Sequence, residues 1–113
     1  MKFLNMLKRD IRLLPDDGRP DIVIPSSGLV HLNDITRLTT VHDDHLGDIP
    51  VSEVETQVVG MPDPQDDVSY IVSWKVLNAL RAAGYDVSDV YCPDVGIRAG
   101  QMIVGSRRLL KYV

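Results

Sequence analysis

Val68-Ser69-Tyr70-Ile71-Val72-Ser73-Trp74-Lys75-Val76-Leu77-Asn78-Ala79-Leu80-Arg81-Ala82-Ala83-Gly84 changes its hydrophobic period halfway along. Val68 to Val72 is a short apolar run of strand length. Ser73 suits an N-cap, because its hydroxyl accepts from a free amide of the first turn. Trp74, Leu77 and Leu80 then recur every three residues with Val76 and Ala79 beside them. That spacing predicts a helix over about 73–83 whose Trp74–Leu77–Leu80 face forms the centre of the core. Gly84 is the expected stop.

Outward from this unit the chain reads as strands and turns. Lys2–Leu7 and Asp10–Leu14 form one kinked strand or two. Pro15 to Pro20 is a strong turn around Asp17-Gly18, so residues 10–24 form a hairpin. Leu29–Val41 and Ile49–Val59 read as strands, rich in Val, Ile and Thr, on either side of a polar loop over 42–48. Pro62 and Pro64 rule out regular structure over 60–67. After the helix, Tyr85–Tyr91 leads to Cys92-Pro93-Asp94, expected at a loop entry or a strand end. Ile97-Arg98 and Met102–Val104 form a hairpin across Ala99-Gly100-Gln101, and 107–113 is a terminal strand. The resulting class is α+β: a single, mostly antiparallel twisted sheet with one main helix packed on one face.

The chain has 113 residues, enough for one domain over 1–113 and too few for two. A chain of this size buries roughly 65% of its unfolded surface, so a core forms without staples. Apolar residues make up 44% but aromatics only 5%, so that core is aliphatic. Cys92 is the single cysteine, which leaves no disulfide framework or thiolate zinc cluster. No stretch resembles a signal peptide or a membrane span, so the expected compartment is the cytoplasm.

The net charge is −4, against a general nucleic-acid binder. Its distribution is uneven. Leu38–Trp74 holds eight acids and no Lys or Arg, whereas Val95–Val113 holds Arg98, Arg107, Arg108, Lys111 and no acid. One reading is a solvated surface bias. The other is that the basic end meets a small anion or the acidic middle of a second subunit.

Catalytic chemistry is not legible. His42-Asp43-Asp44-His45 offers metal-ligand types, but spacing within one loop does not make a site and a solvated acidic loop explains it as well. Cys92 has no histidine placed beside it by sequence, and Ser26-Ser27-Gly28 lacks a nucleophile-elbow pattern. There is no glycine-rich phosphate loop. The suggestive stretch is Gly96-Ile97-Arg98-Ala99-Gly100-Gln101, where a guanidinium beside a glycine-containing turn suits a phosphate, or is simply a hairpin charge.

Taken in order, Ile24-Pro25-Ser26-Ser27-Gly28, Asp48-Ile49-Pro50-Val51, Gly60-Met61-Pro62-Asp63-Pro64-Gln65, Ser69-Tyr70-Ile71-Val72-Ser73, Val95-Gly96-Ile97-Arg98 and Gln101-Met102-Ile103-Val104-Gly105 resemble the anti-Thoeris sponge family of small phage and prophage proteins. The resemblance spans about residues 20–106 and lies in the ordered set, since no single motif is specific. It implies a protein that sequesters a cyclic ADP-ribose isomer, or a cyclic oligonucleotide, made by bacterial immune enzymes in the host cytoplasm, without cleaving it. It also implies a dimer-based homo-oligomer and no cofactor. Of three family positions, the arginine before the last hairpin is matched by Arg98. His31 stands where the family has arginine, and Asp94 where it has asparagine. The ligand-binding set implied is His31, Asp94 and Arg98, with Tyr70 or Tyr91 stacking a base and Gln101 and Arg107 alongside; no residue is assigned catalysis or metal binding. Two other classes stay open: an interaction or inhibitor module acting through the acidic middle, and a metal-dependent hydrolase using His42 and His45.

Overall fold

The computed structural model describes residues 1–113. Its elements are β1 (Lys2–Asn5), β2 (Ile11–Leu13), β3 (Ile22–Ile24), β4 (His31–Asp43), β5 (Gly47–Val59), β6 (Val68–Ile71), α1 (Trp74–Ala82), β7 (Val90–Ala99) and β8 (Met102–Leu110). The protein is α+β with its helix packed on a sheet face, as the sequence pattern predicts. The expected single sheet is divided in two: a six-stranded sheet in the order β1-β6-β7-β8-β2-β3, and a separate two-stranded ribbon of β4 and β5. Most paired residues are antiparallel, but β1, β6 and β7 run parallel to one another, as do β2 and β8. The helix forms the crossover that a parallel β6–β7 neighbour requires.

The sheet curls until its two edges almost meet. Asn5 at the end of β1 bridges Ser26 beyond β3, and the Ser27 amide donates to the Asn5 carbonyl at 2.8 Å. Period-2 alternation therefore sends side chains into two cores. Tyr70 and Val72, with Val90 and Cys92 of β7, face the helix and meet Val76, Leu77 and Leu80. Ile71 points the other way, into the curl, with Ile11 and Leu13; Phe3 and Tyr91 pack at its margin, rings edge to face at 5.0 Å.

Ser73 caps the helix, its Oγ accepting from the Val76 amide at 3.2 Å, and Gly84 ends it at φ +82°. Trp74 departs from expectation: it is 50% exposed and lies outside the core. With about 100° between successive residues, Val76, Leu77 and Leu80 share one arc, and Trp74 falls about 60° beyond its edge. Cys92-Pro93-Asp94 also differs, lying inside β7 rather than at its end. β6 pairs with β7 only at Val90 and Tyr91. The Tyr91 carbonyl faces β6, accepting from Val72, so the nitrogen of Pro93 two residues on points to the same side, where no strand remains to need its N–H.

The ribbon projects from the sheet as an arm. Its strands pair over 13 residues each, His31↔Val59 through Asp43↔Gly47, longer than the loop expected over 42–48 would allow. At the tip Asp43 accepts from the amides of His45 and Leu46, both at 2.8 Å, which holds its carboxyl below the usual range. Gly47, at φ +79°, supplies the left-handed residue that closes a three-residue hairpin loop. No helix is long and apolar enough to cross a membrane.

Candidate functional site

The largest concavity, of about 970 Å³, is an open cleft where four parts of the chain converge. One wall is the turn after β1, carrying Leu7, Lys8 and Arg9. A second is the base of the arm, from Leu29 to Leu32. The N-terminus of α1 gives Ser73, Trp74, Lys75 and Val76, and β7 and β8 close it with Pro93, Ile103 and Ser106.

Asn5 shapes the first wall. Its side chain is fully buried, and its amide nitrogen donates to the carbonyls of Arg9 and Ile24, both at 3.0 Å. Its oxygen accepts from the Leu7 amide at 2.9 Å. The Ser26 hydroxyl donates to the Leu7 carbonyl, and the Ser26 amide to Asp10 at 2.9 Å. Lys8 and Arg9 thus project from a backbone loop fixed at both ends.

The cleft's charge is one-sided. Lys8, Arg9, Lys75 and His31 line it and no carboxylate does. None of these four side chains joins the ion pairs found elsewhere, such as Arg12–Asp21 at 2.7 Å or Arg108–Asp94 at 3.5 Å. The first turn of α1 contains no acid and carries Lys75 instead, which adds a cation to the positive end of the helix dipole. That local arrangement is unfavourable for the protein alone and favourable to a bound anion. The Trp74 indole stands half exposed on the wall, 6.0 Å from the Tyr112 ring, itself covered by the Arg81 guanidinium at 3.6 Å.

A smaller pocket of about 240 Å³ at the other end of the helix has the opposite sign, with Asp63, Asp86 and Asp89 and no basic residue. Asp86 accepts from the Ser88 amide at 2.9 Å, which lowers its pKa. No group of three or more His, Cys, Asp or Glu is placed to hold a metal ion. His42 instead pairs across the arm with Asp48 at 3.0 Å. Cys92 is buried, and desolvation, followed by the charge of Asp94, pushes its thiol pKa up, so it stays a protonated core residue.

The structure scatters the residues singled out in the sequence. Only His31 lines the cleft. Tyr70 is 1% exposed and its hydroxyl donates to the Asp63 carbonyl at 3.1 Å, leaving no free face to stack a base. Tyr91 packs against Phe3. Asp94 is turned to Arg108, and Arg107 donates to the Leu14 carbonyl at 3.1 Å. Arg98 and Gln101 are exposed near the end of the β7–β8 hairpin and do not line the cleft, although Ile103, the cross-strand partner of Arg98, does. The cations that do converge, Lys8, Arg9 and Lys75, lie outside the set expected from the sequence. Their legible signals were an adjacent basic pair, and a lysine just after an N-cap where an acid is usual.

No family model matches the chain, and no curated protein or solved structure matches it.

Proposed function

We propose that this protein binds a small phosphate-bearing nucleotide in the Lys8–Arg9–Lys75 cleft and sequesters it without chemical conversion. The observation that carries this reading is three unpaired cations and no carboxylate around a helix N-terminus whose own first turn lacks an acid. Such a field selects a compact anion. Trp74 offers a face for a base, His31 a further donor for phosphate or ribose, and Leu29 and Ile103 an apolar wall. The volume lies within the range of small-molecule sites, about 300–1,000 Å³. The resemblance to the sponge family directs the ligand class towards cyclic nucleotide immune signals, and the role towards evasion of host defence. No catalytic group is part of the reading.

Trp74 is the sole tryptophan, so its fluorescence reports on the cleft directly. Titration with a cyclic ADP-ribose isomer is expected to change that signal saturably, whereas adenosine leaves it unchanged. Heating the complex should release the ligand intact by mass spectrometry. Lys8→Ala and Lys75→Ala should each weaken binding about tenfold or more, since a charge-assisted hydrogen bond contributes about 1.5–3 kcal/mol. Arg19→Ala, in a solvated turn where Arg19 pairs with Asp17, should have no effect. Unchanged affinity in both lysine variants removes the cleft from the reading; a degraded ligand makes the protein an enzyme.

A further inference from the structure

We infer that the outer edge of β4, from Asp34 to His42, is a docking edge, where an extended lysine- or arginine-bearing segment of another protein adds to the arm as a third strand. The arm stands clear of the rest of the molecule. A compact 12.6 kDa chain exposes about 6,200 Å², yet this one exposes 8080 Å². Leu32 and Val58 at the base pack on the helix core, and beyond them β4 and β5 pair only with each other.

Pro50 sets the backbone phase of the ribbon. It lies opposite Thr40 and has no N–H to give it, so this pair is of the non-hydrogen-bonded kind. The two kinds alternate along an antiparallel ladder, and the register runs from His31↔Val59 to Asp43↔Gly47 without a shift. Asp34, Thr36, Leu38, Thr40 and His42 therefore turn their N–H and C=O groups away from β5, and no other backbone group bonds to them. On β5 the outward set is Asp48, Pro50, Ser52, Val54 and Thr56, where the proline interrupts the row of donors.

Natural sheet edges are kept from pairing by proline, lysine, a bulge, a short strand or a covering segment. β5 has its proline, and the edges at β1 and β3 nearly close on each other through Asn5 and Ser26. Between Asp34 and His42, β4 holds no proline, lysine or bulge. Its one cation, Arg37, is turned back across the ribbon to Glu53 at 3.7 Å. In strand addition, main-chain bonds to such an edge give affinity and side chains of alternating facing give selectivity. Leu38, 86% exposed, flanks the added strand on one face with Val54 behind it, and Ile35 and Val41 flank it on the other.

The partner's charge follows from that of the arm. Residues 31–59 hold six carboxylates against one guanidinium. An added strand lies about 5 Å from β4 and about 10 Å from β5, within roughly a Debye length of both at 0.1 M salt. A second arm in that place would set like charges together, whereas a basic segment is attracted. No residue from Asp34 to His42 lines the cleft, so the edge stands or falls independently of the proposed nucleotide.

The probe is a capped peptide of about ten residues that alternates lysine with valine and threonine, titrated into the full chain labelled with nitrogen-15. Saturable shifts are expected along β4, weakened by salt. Hydrogen exchange should slow at the amides of Asp34, Thr36, Leu38, Thr40 and His42, while the inward amides between them, already bonded to β5, change little. The same peptide with glutamate for lysine should not bind. Thr36→Pro removes one outward N–H and leaves the ladder intact, and it should weaken the lysine peptide about tenfold. Ser52→Pro makes the same change on the outer edge of β5 and should leave affinity unaltered. Should Thr36→Pro not fold, Leu38→Lys puts a guarding charge at an exposed position and should weaken binding as much. Equal binding of the glutamate peptide overturns the inference, as does slowed exchange along β5, or shifts confined to the acidic pocket at Asp86 and Asp89. No saturable shift at millimolar peptide overturns it too. A wild type that self-associates with the same alternate amides protected also does so, and gives the edge to a second copy.

Discussion

Asn5 is the residue on which the architecture and the cleft both depend, and nothing in its sequence context marks it. Between Leu4 and Met6 it reads as an ordinary strand position, yet it is fully buried and satisfies two carbonyls and one amide drawn from two segments, the turn after β1 and the end of β3. The Leu7 amide and the Arg9 carbonyl are local partners, but the Ile24 carbonyl reaches it only through the near-closure of the sheet, a long-range event that no local pattern encodes. Asn5→Ala leaves the Arg9 and Ile24 carbonyls and the Leu7 amide unpaired. We expect a loss of about 2–4 kcal/mol in chemical denaturation. Asn5→Asp should be worse still, because a carboxylate cannot donate to either carbonyl. At conditions where Asn5→Ala remains folded, nucleotide affinity should also fall, since the loop bearing Lys8 and Arg9 is no longer fixed; unchanged affinity would separate the clasp from the site.

At the scale of elements, existence and type were readable, while partners and facing were not. The helix, its cap and its stop follow from Ser73, the apolar recurrence and Gly84, and the Pro15–Pro20 turn delivers the β2–β3 hairpin, with Ile11 opposite Ile24. Three-residue spacing alone placed Trp74 in the core beside Leu77, because at that spacing the residues drift around the helix and the width of the buried arc is set by the sheet beneath. The distinction is measurable. Leu77 has no exposure, so Leu77→Ala should cost about 2–5 kcal/mol through lost transfer energy and a residual cavity. Trp74→Ala, at a half-exposed position, should cost about 1 kcal/mol or less while abolishing the fluorescence response to ligand. Equal destabilisation by the two would return Trp74 to the core. The stretch expected to bind an anion at Gly96–Gln101 shows the same limit of local pattern: its glycines and arginine are locally suited to phosphate, but neither Arg98 nor Gln101 lines the cleft where Lys8, Arg9 and Lys75 converge.

The whole molecule divides into a curled sheet with its helix, which contains both cores, and an arm that contributes to them only through Leu32 and Val58. The charge asymmetry of the sequence becomes physical here: the acids of the middle segment lie mostly along the arm and around the small acidic pocket, while the helix N-terminus and the C-terminal hairpin keep the cations. A redesign tests this division. Asn33 pairs with Gln57, so residues 34–56 can be replaced by Asn-Gly, whose tight turn matches the twist of a two-residue hairpin loop. The shortened chain retains His31, Leu32 and Val58, hence the full cleft lining and both cores. Because an exposed ribbon adds little burial, its melting temperature should stay within about 5 °C of the wild-type protein. It should bind the nucleotide as the wild type does. Loss of folding would make the arm part of the core. Loss of binding with the fold intact would place part of the ligand site on the arm, beyond the four walls of the cleft.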